Sequence, residues 1–152
     1  MQHTDENKRI VMEILEKIKE AKKKDNWNQI NTELTEKRLD WYEKNKNNLN
    51  LQGTDVKKAY TLLLMKIGIS PEEAPVVYED ENKIVWRSYN WCPVLEACKI
   101  GGFDTREVCK KGWEQSVQAL IKKINPKLRF FRTYETLRPH GGYCEEIIEL
   151  FE

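Results

Sequence analysis

Apolar residues recur along the chain with two different periods, and the change of period divides it. Over residues 5–22, Ile10, Val11, Ile14, Leu15 and Ile18 fall at the i, i+3/i+4, i+7/i+8 spacing of an amphipathic helix. Thr4 or Asp5 is placed to cap its start, and Lys22-Lys23-Lys24 suits the negative end of its dipole as a solvated helix end. A second helix is predicted over 27–46 from Trp27, Ile30, Leu34, Leu39, Trp41 and Tyr42, and the amide-rich stretch 45–50 breaks it. A third, over 55–67, is capped by Thr54 and stopped by Gly68. Its apolar residues cover more than one face, which predicts deep burial.

At Pro75 the period becomes two. Residues 76–78, a polar turn at 79–82, and residues 83–89 read as a β-hairpin. Pro93 ends that run, because it cannot donate to a ladder but fits the first turn of a helix. A short helix at 94–99 is stopped by Gly101-Gly102. A longer one at 106–124, capped by Asp104 or Thr105, carries the stripe Val108, Cys109, Trp113, Val117, Leu120, Ile121 and Ile124. Strands at 128–135 and 143–151 follow, joined by the turn Arg138-Pro139-His140-Gly141-Gly142. The order predicts an α+β fold, an antiparallel sheet from two hairpins packed against helices. One domain, 1–152, is expected: a helical N-terminal part at 1–70 and an α+β part at 75–152.

Composition narrows the partners. The 152 residues suffice for one buried core. Lys+Arg 26 against Asp+Glu 25 leaves a net charge of +1, which argues against a nucleic-acid partner held by bulk charge. The longest apolar run, Leu62-Leu63-Leu64-Met65, is far short of the roughly 20 residues of a membrane span, so no membrane partner is expected. The polar start MQHTDENKR has no apolar stretch of the secretory kind. A cytoplasmic location is the expectation, and thiols are kept reduced there.

That setting sharpens the distribution of cysteines. Cys92, Cys98, Cys109 and Cys144 all lie in the C-terminal part, and none precedes residue 92. Cys92 begins the predicted short helix, Cys98 ends it, Cys109 sits in the first turn of the next, and Cys144 opens a strand. Element ends converge in an α+β domain, so the four thiols can meet around one zinc ion or one iron–sulfur cluster, with His140 able to replace one of them. The close Cys-x2–4-Cys pairs usual for zinc are missing. Two other readings stand beside that one. Cys92 or Cys109, each near a helix start, can be a reactive thiol with His140 as its imidazole partner, His3 falling in the polar N-terminal end. Alternatively, the cysteines fill the core as small hydrophobes.

Other side chains near them invite similar weighing. Trp86, Trp91 and Trp113 suit a core and can also wall a ligand cavity. Of Arg129, Arg132 and Arg138, one can clamp a ligand carboxylate, with Arg132 the chosen candidate; surface charge on an edge strand is expected for at least two. Glu145, Glu146 and Glu149 are candidate acids or bases, with exposure the commoner outcome.

The run Trp91-Cys92-Pro93-Val94-Leu95-Glu96-Ala97-Cys98, then Cys109, then Asn125-Pro126-Lys127-Leu128-Arg129-Phe130, then Gly142-Tyr143-Cys144-Glu145 resembles the L-2-amino-thiazoline-4-carboxylic acid hydrolase family. It is more distantly similar to the 4-vinyl reductase domain. The resemblance covers residues 75–152 and implies an α+β domain with a small-molecule pocket between helices and sheet, with Cys92, Cys98, Cys109 and Cys144 at matching positions. It also implies hydrolytic opening of a thiazoline ring. The turn His140-Gly141-Gly142 departs from the Gly-Asp type of relatives. The expected function is therefore a hydrolase-like one on a small sulfur- or nitrogen-containing heterocycle, with Cys92 and His140 as catalytic candidates and Trp86, Trp91 and Arg132 as ligand contacts. The alternative is a small-molecule- or metal-binding sensor without turnover. A homodimer through Ile10, Leu15 or Leu39 is a further expectation.

Overall fold

Three N-terminal helices, α1 (Asp5–Lys24), α2 (Asn28–Asn45) and α3 (Asp55–Ile67), precede a hairpin of β1 (Val76–Glu79) and β2 (Lys83–Ser88) in the computed structural model, which describes residues 4–152. Then come α4 (Pro93–Gly101), α5 (Thr105–Val108), a π turn (Cys109–Trp113), α6 (Glu114–Ile121), β3 (Leu128–Arg132) and β4 (Cys144–Leu150). His3 lies outside the described residues. The caps read from the sequence are in place. Thr4 accepts from the Asn7 amide at 3.0 Å, Thr54 from Lys57 at 3.3 Å, and Asp104 from Arg106 at 2.9 Å. Gly68 and Gly102 end α3 and α4 at φ +83° and +71°, a left-handed geometry that a residue without Cβ adopts cheaply.

The four strands form one antiparallel sheet in the order β1-β2-β4-β3. Register places Ile84, Ile148 and Phe130 in one row of the inner face, and Trp86, Glu146 and Arg132 in the next. Ser88 and Cys144 make the last row. The inner face thus turns from apolar to polar along the strands. The fold is α+β, with the helices packed on one side of the sheet.

Two hydrophobic clusters hold it. One joins α3 to α6 and the apolar end of the sheet, around Tyr60, Trp86, Leu120 and Phe130. The other joins α1 to α4 and the start of α2, around Leu15, Ile18, Trp27, Cys98 and Trp113. Each fully buried Leu, Ile or Val in them contributes about 1.5–3 kcal/mol. Leu15 is only 2% exposed and packs in the second cluster, so it cannot serve a dimer surface. Ile10 and Leu39 are half-buried.

Two expected elements come out differently. The helix expected over 106–124 is split, because residues 109–113 widen into a π turn in which the Glu114 amide bonds back to the Cys109 carbonyl. Gly112 allows this, since a Cβ there would sit 3.0 Å from the Trp27 ring. Asn31 of α2, buried, donates its side-chain amide to the Lys111 carbonyl at 2.8 Å and to the Trp27 carbonyl at 3.1 Å. The strand expected over 128–135 stops at Arg132. Beyond it the chain turns inward, burying Leu137 and bonding Tyr134 to Glu114 of α6 at 2.7 Å. The edge of β3 is closed by Gln118, whose amide both accepts from Phe130 N–H at 2.9 Å and donates to its carbonyl at 2.5 Å.

Asn31→Ala removes the side-chain donor that the π turn leans on. It is expected to lower stability by about 1–3 kcal/mol, the range for stranding a buried acceptor. Urea unfolding measures this, with hydrogen exchange at 109–114 as a local readout; unchanged exchange there would separate Asn31 from the π turn.

Candidate functional site

Between the two clusters lies a polar seam. Its floor is the polar end of the sheet's inner face, where Glu146 accepts from Ser88 Oγ at 2.6 Å and from Arg132 Nε at 3.3 Å. Both side chains of this ion pair are largely buried, at 13% and 15% exposure. The Arg132 guanidinium also lies over the Phe130 ring, 4.8 Å from its centroid. Burial works against charge on Arg132, but the neighbouring Glu146, Cys109 and Tyr134 outweigh it and push its pKa up.

The wall opposite comes from α2. Asn31, Thr35 and Arg38 follow one another at four and three positions, so they form one stripe on that helix. Arg38 is close enough to Arg132 and Glu146 for their charges to act on it. Burial, with Arg132 adding to it, lowers the Arg38 pKa to about 10, so it stays charged at neutral pH. Among the described residues, the buried side-chain polar atoms without a partner are Asn31 Oδ1, Thr35 Oγ1, Arg38 Nε and Arg132 Nη1. All four belong to this stripe and to the arginine of the seam. Buried polar atoms are nearly always paired, so their concentration at one place is the strongest functional signal in the molecule.

The cysteines gather on the same side. Cys144 stands on the inner face of β4, paired in register with Ser88, and accepts from Arg138 Nε at 3.1 Å. Cys92, the N-cap residue of α4, feels the charges of Arg138 and Cys144. Cys109, at the start of the π turn, feels Arg132 and the other three thiols, while Cys98 is buried and feels Cys92. The four thus share one region, all free. Among the described residues, however, no group of three or more His, Cys, Asp or Glu side chains is placed so that it could hold a metal ion. The zinc or iron–sulfur site expected from Cys92, Cys98, Cys109 and Cys144 gains no support from this arrangement.

The catalytic expectation meets a similar obstacle. Burial raises the Cys92 pKa, and the amides of Leu95 and Val94 together with Arg138 offset only part of it. Burial likewise pushes Cys98 and Cys109 up to about 12. Desolvation outweighs the helix-start effect that would favour a thiolate. His140 is exposed and pairs with Asp104 at 3.4 Å, on the outer side of α5, and no cysteine is among its polar contacts.

Of the ligand candidates, Trp86 packs in the core against Tyr60 and Phe130, beside Glu146 in the sheet row. Trp91 packs at the margin of the second cluster. Arg132 faces the seam. Arg138 also turns inward, donating to the Asn90 carbonyl at 2.7 Å, so two of the three arginines are interior and only Arg129 is the surface charge expected of an edge strand. Glu145 and Glu149 share the outer face, while Glu146 points inward by the alternation of the strand. Arg38 and Thr35 escaped the sequence reading. The signal available was two polar residues recurring with Asn31 on one stripe of a helix.

Two grooves of about 280 and 270 Å³ open elsewhere, between α1 and α2. Neither is lined by a cysteine or an arginine. No family model matches the chain, and no curated protein or solved structure matches it either.

Glu146→Ala strands Arg132 and Arg38 without their carboxylate. A loss of about 3–5 kcal/mol is expected from urea unfolding, as for other broken buried pairs; a loss below about 1 kcal/mol would show the seam to be open to water. The thiols give a pH prediction. Unfolded cysteines lose their protons near 8.5, whereas Cys98 and Cys109 hold theirs up to about 12 in the fold. The folded state then binds more protons, so stability falls as pH rises above about 8.5, by up to ~1.4 kcal/mol per pH unit for each thiol. Unfolding between pH 8 and 10.5 should show a shallower fall for Cys109→Ala; identical slopes would mean that this thiol is not held protonated.

Proposed function

We propose that this protein binds a small molecule in the seam between α2, the π turn and the polar end of the sheet. The observation that carries the reading is the cluster of four unpartnered buried polar atoms on Asn31, Thr35, Arg38 and Arg132. Leaving such atoms bare costs about 1–3 kcal/mol each, so a ligand that pairs them gains that much over a protein surface already satisfied. The free thiols Cys92, Cys109 and Cys144 line the same region as weakly polar, adaptable groups. The reading is the sensor-like alternative of a binding domain. Hydrolysis of a small sulfur- or nitrogen-containing heterocycle is its enzymatic extension, favoured by one observation: Glu146 is the carboxylate on the inner face, held between Ser88 and Arg132. There it would act as the base toward water.

Ligand-observed NMR against a library of small polar molecules, followed by mass-spectrometric mapping of cysteine alkylation, tests the proposal. A true binder is expected to slow alkylation of Cys109 and Cys144 several-fold. A library without binders, or binders that leave every cysteine as reactive as before, would remove the seam as the site. Turnover of a thiazoline carboxylate that survives Glu146→Gln would remove the hydrolytic extension.

A further inference from the structure

The charges in the seam do not balance. Arg38 and Arg132 carry two positive charges, and the acidic side chain that acts on both is Glu146. The excess is one positive charge in a largely buried place, where an uncompensated charge is costly. Arg38 feels Arg132 as a repelling neighbour. The next cation, Lys66, is pushed down by burial and by the charges of Arg38 and Lys37, so the positive potential of the seam reaches it as well. Arg38 Nε and Arg132 Nη1 have no acceptor, and Thr35 Oγ1, one helical turn before Arg38, has no partner.

The geometry points to a carboxylate as the group that completes the seam, one oxygen accepting from Arg38 Nε and the other from Arg132 Nη1, with Thr35 donating to either. This inference rests on the seam being a small-molecule site and names the chemical class of its occupant. A monoanion cancels the excess charge, whereas a phosphate dianion would reverse it. A planar two-oxygen acceptor matches two N–H donors that come from different elements. The Cys109 thiol, held protonated by burial, and the Phe130 ring beside the Arg132 guanidinium lower the local dielectric, which strengthens the attraction. The ligand is therefore a small organic acid, its carboxylate bridging α2 to β3.

Thermal unfolding in sodium acetate, benzoate, phosphate and sulfate, each against chloride at equal ionic strength, tests this. Acetate or benzoate is expected to raise Tm saturably, by roughly 5–10 °C when the anion is at about a hundred times its dissociation constant. Arg38→Met is expected to abolish the rise. Glu146→Gln, which leaves two positive charges unpaired, is expected to enlarge it and to bind the anion at least tenfold more tightly. A structural role alone would make Glu146→Gln merely less stable, with no greater response. Rises with phosphate or sulfate but not carboxylates would overturn the inference, as would an Arg38→Met protein that responds like the parent. Should uncharged molecules protect Cys109 from alkylation while no carboxylate changes Tm, the inference falls and the small-molecule reading stands. If neither kind binds, both fall.

Discussion

A buried ion pair, Arg132 with Glu146, decides what the rest of this fold can be. The sheet's inner face begins as an ordinary hydrophobic layer of Ile84, Ile148 and Phe130, and one row further on it holds a guanidinium and a carboxylate. Continuing the apolar layer would have been neutral or stabilising, since well-packed hydrophobes commonly replace buried ion pairs without loss. Once the pair is there, the neighbouring elements must satisfy it. Ser88 takes one oxygen of Glu146, and the start of the polar loop after β3 brings Tyr134 against Arg132. The helical side does the opposite of satisfying it, because α2 delivers a second guanidinium.

The arrangement of α2 explains how that is tolerated. Its inward side mixes Trp27, Ile30 and Leu34, which pack with the second cluster, with the polar stripe Asn31, Thr35 and Arg38. Asn31 fixes this helix against the π turn through the Lys111 carbonyl, and Gly112 lets the Trp27 ring come close. The π turn in turn sets Cys109 beside Arg132. A π turn inside a helix is a common mark of a functional place, because it re-aims a side chain at the cost of regular hydrogen bonding. Here the re-aimed side chain is a thiol, and the cost is met by a residue seventy-eight positions away from it in sequence, Asn31 to Cys109.

Much of the architecture was legible in the sequence. Periods of 3.6 and 2, the Thr4, Thr54 and Asp104 caps and the Gly68 and Gly102 stops located the starts of α1 to α5 and the two hairpins. Local chemistry fixes those features, so local sequence reveals them. The π turn was not legible, because its cause is a contact between Gly112 and Trp27 across the fold. The inward turn after Arg132 has the same origin, in Leu137 and Tyr134 finding burial and a partner on another element. For the site, the clustering of cysteines pointed to the region where the unpartnered polar atoms lie, and Arg132 carries one of those atoms. The ionisation of the thiols depends on burial, which a single sequence does not show. A helix start favours a thiolate only while water can reach it, and burial of Cys92 and Cys109 outweighs that effect.

Beside the charge imbalance, the thiols take on a further meaning. A lining of serines or waters would hydrogen-bond the spare guanidinium N–H groups and screen the excess charge. Cysteine sulfurs offer weak acceptors at most, as Cys144 does for Arg138 at 3.1 Å. They leave Arg38 Nε and Arg132 Nη1 bare and the dielectric low, and both conditions would favour the carboxylate proposed for this seam. The same conditions cost stability, since buried polar atoms without partners are expensive. A protein under selection for stability alone would have replaced Arg38 or added a carboxylate. Two arginines against one glutamate in a thiol-lined seam accord with the proposed binding site, in which stability is traded for affinity.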